Sequence, residues 1–197
     1  MKNSIKICLI ALVAMVGIYA MPNGNTKKTI DTAKSLVKWE GKKVVYGHNG
    51  TVSIKEGSLL ISKGKINGGS FVIDMTSLKC TDIEDQAKNA NLIGHLKDAD
   101  FFDVAKYPTS KLVIKKIGEL KDGVQTITAD LTIKDKTNPI TFSTAVKTVG
   151  GKVMAGAKFS IDRTKYDIRY GSDSFFDNLG DKAIKNEINF EVSLVSN

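Results

Sequence analysis

The chain has 197 residues, of which 42% are hydrophobic and 25% charged, with a formal net charge of +8 and two cysteines. As a prior, that length allows one or two domains, and a single all-β barrel fills it. The 29 basic and 21 acidic residues are interspersed, and basic residues come at most in pairs such as Lys42–Lys43 and Lys115–Lys116. Such spacing excludes a nucleic-acid surface and points to a solvated one, with a weak pull towards anionic lipid headgroups.

Lys2 and Lys6 form a basic start, Ile7 to Tyr19 an uncharged apolar run, and Ala20 a small residue suited to cleavage. Residues 1–20 read as a secretory signal peptide, because the run is short for a membrane span. Ile18 departs from the small residue preferred three positions before the cut. Export to the periplasm or medium is the expectation. Removing Lys2 and Lys6 leaves 27 basic against 21 acidic residues, a net charge near +6. Cys8 falls inside the leader, so Cys80 remains as a single thiol without an internal disulfide. Nothing around Cys80 in sequence activates it as a nucleophile.

Residues 21–29 (MPNGNTKKT) are polar and read as a flexible start, with the folded domain over 30–197. From there, alternation of period two dominates. Val37 and Trp39, Val52 and Ile54, Leu59 and Ile61, and Phe71, Ile73 and Met75 each share a face. Glu56-Gly57 and Lys63-Gly64 read as hairpin turns, and Asn49-Gly50 as a turn signal. Asp82 to Lys97 is the one good helix candidate, and Asp100-Phe101-Phe102-Asp103 after it reads either as a lid or as a fixed cap. Four alternating runs follow, with apolar faces at Ile127/Ala129/Leu131/Ile133, Ile140/Phe142/Val146, Val153/Ala155/Ala157/Phe159/Ile161 and Ile188/Phe190/Val192/Leu194. Lys121-Asp122-Gly123, Asp135 to Pro139 and Gly150-Gly151 separate them. About eight antiparallel strands are expected, as a barrel or a sandwich. A closed barrel removes the edges that a sandwich would leave.

Polar candidates are few. His48 and His95 are the only histidines, and neither stands at a ligand spacing from another His or a Cys. A metal site is therefore not expected. A helix would bring Asp98 to His95 at i+3. Asp162-Arg163 reads either as a buried ion pair holding a loop or as Arg163 presented to a ligand headgroup. No Gly-x-Ser-x-Gly elbow, phosphate-cradling loop or HExxH motif is present, so no catalysis is expected.

The segment His95-Leu96-Lys97-Asp98-Ala99-Asp100-Phe101-Phe102-Asp103-Val104-Ala105-Lys106-Tyr107-Pro108-Thr109 resembles the signature of the YceI-like family. Trp39-Glu40-Gly41-Lys42, His48-Asn49-Gly50, Gly68 to Met75, Asp130 to Lys134 and Phe159 to Ile168 follow in the family's order. Tyr166-Asp167 departs from the hydrophobic-Gly pair often found there. The resemblance implies an eight-stranded, lipocalin-like barrel with a short helical lid segment over residues 82–103. It also implies binding of a long-chain isoprenoid lipid, of quinone or polyprenyl type, for transport or storage in the cell envelope. No cofactor is implied beyond that lipid, and a homodimer is one of the oligomeric states left open.

On this reading the lining comprises Val37, Trp39, Phe71, Ile73, Met75, Leu92, Leu96, Phe101, Phe102, Leu112, Ile114, Ala129, Leu131, Phe142, Ala155, Ala157, Phe159, Phe190 and Val192. His95, Asp162 and Arg163 are the polar candidates, for a headgroup or for structure. The alternatives are an exported stress or interaction barrel that binds other amphiphiles, such as fatty acids or amides, and an enzyme acting on an apolar substrate. A filled core without a cavity is the competing view of the apolar faces, although the small Ala129, Ala155 and Ala157 argue for space.

Overall fold

The computed structural model describes residues 24–197. The leader expected over residues 1–20 lies outside them. Nine strands form one sheet: β1 (Thr26–Thr29), β2 (Leu36–Lys43), β3 (Gly47–Ser62), β4 (Lys65–Cys80), β5 (Thr109–Lys121), β6 (Val124–Ile133), β7 (Lys136–Val149), β8 (Lys152–Asp162) and β9 (Ile184–Val195). A single α-helix, α1 (Gln86–Lys97), lies between β4 and β5. From β2 onward each strand pairs antiparallel with the next, and β9 returns to β2. The result is the closed eight-stranded antiparallel barrel that the alternation and the resemblance point to.

β1 is an addition. Residues 26–29, expected in a loose start, pair with Ser58–Ile61 along the side of β3 that β2 has already left. Ile30 is buried, and its bridge to Ser196 continues this seam.

Turn chemistry defines one end of the barrel, here the lower end. Lys63-Gly64, Asp122-Gly123 and Gly150-Gly151 each have positive φ at both positions. Two-residue loops of that kind match the twist of the strands they join. One expected turn is strand instead, and another is shorter than expected. Glu56-Gly57 lies inside β3, where the pairing with β4 shifts register between Ile54 and Glu56, so a bulge bends one 16-residue strand. Thr137, Asn138 and Pro139 belong to β7, and the turn is only Lys134-Asp135. Pro139 is tolerated because β7 pairs with β8 only from Thr144 onward, leaving a single paired neighbour at that height.

The upper end carries the β2–β3 hairpin, α1 with its following loop, the β6–β7 turn and the long β8–β9 connection. Asp85 caps α1 by accepting from the Lys88 amide, and Lys97 Nζ donates to the Thr76 carbonyl. The helix begins four residues later than the expected Asp82, which instead faces His48.

Asn49-Gly50 is strand rather than turn. Gly50 pairs with both Trp39 and Cys80. A Cβ there would lie 1.8 Å from the Lys79 carbonyl oxygen and 2.7 Å from Trp39 Cζ2. The missing side chain therefore lets β3 approach β4 beneath the indole. Gly50→Ala is expected to cost at least about 1–3 kcal/mol, the usual range for overpacking. A lowered urea midpoint with an unchanged m-value would show it; an unchanged midpoint would contradict this close approach.

Candidate ligand-binding cavity

The inward rows of the strands do not fill the barrel. They enclose a cavity of about 240 Å³ whose wall is almost wholly apolar. Of the nineteen residues expected to line it, all but Ala129 stand in its wall. Ala129 is fully buried on the same inward row of β6 as Ile127 and Leu131 but does not border the cavity. The wall also includes Val52, Ile54, Leu59, Ile127, Ile188 and Leu194, whose alternation had already placed them on apolar faces. Ile66, Leu78, Ser110 and Thr144 complete it without any comparable signal.

Three aromatic rings run across one wall. Phe142 stacks on Phe159 at 4.8 Å between centroids, and Phe159 on Phe190 at 5.5 Å. The Phe159–Phe190 pairing in the ladder fixes the second contact. Opposite in chemistry are two polar atoms in the wall. Trp39 Nε1 and Ser110 Oγ, on two wall residues, are buried and have no hydrogen-bond partner among the described residues. A buried polar atom left unpartnered costs about 1–3 kcal/mol. Tyr166 Oη is also unpartnered, and burial raises its phenol to about 12, but it is not part of the wall.

The two ends differ. Near the lower end Gln125, 1% exposed, bonds both the amide and carbonyl of Ile66 and the carbonyl of Gly118. It ties three strands together across that end. At the upper end the exposed wall residues Lys42, Tyr46, Gly47 and Lys185 mark the mouth. Lys43 pairs with Ile184, which sets the β2–β3 hairpin beside the start of β9.

Leu92 and Leu96 of α1, with Phe101 and Phe102 behind it, form the cap of the wall. The Phe102 amide donates to Leu96 and that of Val104 to Lys97, which folds the loop back under the helix. His95 is absent from the wall; its ring packs edge-on against Phe101 at 5.0 Å and Tyr170 at 4.5 Å. Its partner is Asp100, with Nε2 3.0 Å from Oδ2, rather than Asp98. Asp98 instead terminates α1 through its backbone amide.

Arg163 and Asp162 do not form the ion pair considered for them. The Asp162 carboxylate accepts from the Thr164 amide and hydroxyl, capping a 3₁₀ turn over Arg163–Tyr166. Arg163, 1% exposed, donates to three carbonyls: Nη1 to Ile168 at 2.8 Å, Nη2 to Ile184 at 2.9 Å and Nε to Lys185 at 3.1 Å. Burial lowers its pKa, with Asp162 and Asp173 acting against that. The guanidinium thus latches both ends of the β8–β9 connection and also stands in the cavity wall beneath Phe101.

The other histidine has unexpected company. Gly50 pairs with Cys80, and this register sets His48 beside Cys80 and Asp82, 32 and 34 residues away. Cys80 Sγ lies 2.9 Å from Asp82 Oδ1, and His48 Nδ1 3.2 Å from Asp82 Oδ2. Burial, then the contact with Asp82, pushes the Cys80 thiol up. Partial burial opposes ionisation of Asp82, yet the bonds from Cys80, the Asn49 backbone and His48 together hold it below its ordinary value.

The family of YceI-like domains matches residues 29–196. The chain belongs to that family. The crystal structure of BcnA from Burkholderia cenocepacia superposes with a TM-score of 0.68, at 22% identity over 85% of this chain and 99% of that one. A polyisoprenoid binding domain from Saccharophagus degradans gives 0.61, at 17% identity over 85% and 96%. The YceI protein of Campylobacter jejuni gives 0.55, at 19% identity over 73% and 82%. In sequence, a UPF0312 protein of Pseudomonas putida is 29% identical over 103 residues, 49% of this chain and 54% of the relative. The match thus spans about half the length of such curated relatives.

Removing the latch has a stated consequence for the YceI-like fold. Arg163→Ala leaves three carbonyls without their donor, each costing about 1–3 kcal/mol if still buried. A fall in stability of at least about 3 kcal/mol is expected, with faster amide exchange at Ile184 and Lys185. Unchanged exchange at those two amides would show that the connection is held by other contacts.

Proposed function

We propose that this barrel binds one slender, mostly hydrocarbon lipid of isoprenoid type and passes it between membranes or stores it in the cell envelope. The observation that carries the reading is the enclosed cavity, with an apolar wall, aromatic rings and a mouth at one end only. The similarity to a polyisoprenoid binding domain from Saccharophagus degradans supports the ligand class. The leader-like start, Lys2 to Ala20, supports export. Burying hydrocarbon is worth about 0.8 kcal/mol per CH₂ against water, and almost nothing against a bilayer whose tails are equally apolar. Such a site exchanges its ligand with membranes rather than trapping it. Stoichiometric binding without turnover follows.

Organic extraction of purified protein followed by mass spectrometry is expected to release an isoprenoid lipid at up to one per chain. Ala157→Phe places a ring in the wall opposite Val192, and is expected to abolish co-purification while the barrel still melts cooperatively. Lipid-free preparations obtained repeatedly, or full occupancy in the variant, would sink the proposal.

Delivery requires a surface that meets the bilayer. Val44, Val45 and Tyr46 at the β2–β3 tip are 57%, 73% and 52% exposed, beside the mouth and flanked by Lys42, Lys43 and Lys185. An apolar tip within a basic rim suits an anionic bilayer, and the attraction is screened by salt. Val44→Asp with Val45→Asp is expected to end co-sedimentation with phosphatidylglycerol vesicles and to leave cavity occupancy unchanged. Equal sedimentation of variant and wild type would place the contact elsewhere.

A further inference from the structure

The grouping of His48, Cys80 and Asp82 is not used by the lipid site, and nothing in that reading requires it. We propose that these three side chains bind a divalent ion of zinc type. Imidazole nitrogen, thiolate sulfur and carboxylate oxygen are the donors such an ion takes. The three donor atoms all lie within 4.8 Å of one another. Bonds of about 2.0–2.3 Å to a tetrahedral ion put neighbouring ligands roughly 3.3–3.8 Å apart, so small side-chain rotations suffice.

The backbone around the group is held in place. The Thr81 amide donates to the Asn49 carbonyl at 2.9 Å, and its hydroxyl to Asn49 Oδ1 at 2.9 Å. Asn89 Nδ2 of α1 donates to the carbonyls of Cys80 and Ile83 at 3.1 and 3.0 Å. Three segments (the start of β3, the end of β4 and α1) therefore converge on the site before any ion arrives. Cys80 is buried, while the His48 and Asp82 side chains are 31% and 26% exposed, which leaves a coordination position on their side for water or an exchangeable ligand.

His95 provides an internal contrast. It also faces a carboxylate, Asp100, but its other neighbours are the rings of Phe101 and Tyr170, with no thiol. Binding at the Cys80 site forms a metal–sulfur bond as the S–H bond breaks, and the proton leaves to solvent. Nothing is oxidised or reduced. Because His48 also stands in the cavity wall, the ion would sit beside the mouth.

Titration of the purified full chain with Co²⁺ reads the site directly. Wild type is expected to develop a thiolate-to-cobalt charge-transfer band saturating at one equivalent, and Zn²⁺ to displace it. Zn²⁺ should also raise the melting temperature. Cys80→Ser should lose the band. His48→Ala and Asp82→Asn should weaken Co²⁺ binding by more than the roughly 10–100-fold that loss of an outer-shell partner costs. His95→Ala should titrate as wild type. His48 and Asp82 are partly exposed, so their variants report on the site even if Cys80→Ser folds poorly. Absence of the band in wild type, or unchanged titration in His48→Ala and Asp82→Asn, would reduce the group to a hydrogen-bonded thiol and overturn the proposal.

Discussion

Closure of the sheet between β2 and β9 governs the rest of the molecule. Val37 pairs with Val192 and Trp39 with Phe190, so the inward rows of the first and last barrel strands meet in register. A slip of one residue between them would turn one of these rows outward, because side chains alternate with period two. Closure also removes the two open edges that eight strands would otherwise expose. Once the ladder is complete on all sides, backbone hydrogen bonding no longer depends on what fills the middle. An eight-stranded barrel is just wide enough to be packed by its own side chains or to hold one small ligand. Here Ala155 and Ala157 on β8 and Gly41 on β2 tip the choice towards open space.

The same physics explains why the two ends differ. Two-residue turns bring the lower strands together tightly, and the Gln125 amide satisfies backbone groups on β4 and β5 across that end. At the upper end the β4–β5 and β8–β9 connections are long and need their own supports. Arg163 supplies one by donating to three carbonyls, a neutralisation by dipoles rather than by a carboxylate. Such a latch holds the rim without placing a counter-charge in the wall. The cavity keeps its apolar character right up to the mouth.

Strand identity was legible because a closed meander asks only for alternation and turn residues, both local signals. The inward rows around Phe71, Leu131, Phe159 and Phe190 are correct as read from the chain, and so are three two-residue turns. What failed depended on partners distant in sequence. Gly57 and Gly50 look like turn residues, yet each is small because another strand's atoms, the Phe71 ring or the Lys79 carbonyl, occupy the place of a side chain. Asp162-Arg163 reads as an ion pair only while the carbonyls of Ile184 and Lys185 are out of sight. Likewise, the spacing of His48 from Cys80 means nothing until the β3–β4 register sets them side by side. Ala129 differs for another reason: alternation assigns a face but not which residues of that face border open space.

An unfilled apolar interior is itself a constraint on stability. Wall residues facing empty space forgo dispersion contacts that a packed core would supply, and cavity lining of this kind is a known source of lost stability. On the proposed reading, a bound hydrocarbon would restore those contacts and stabilise the barrel by mass action. Hydrocarbon burial alone cannot distinguish one lipid tail from another in a bilayer, since every tail gains similarly. Discrimination must come from shape. Trp39 Nε1 is a donor only, whereas Ser110 Oγ both donates and accepts. Both atoms are buried without a partner among the described residues, so each carries the cost of its burial. On the proposed reading, the shape of the cavity is therefore what an otherwise uniform oily wall selects with.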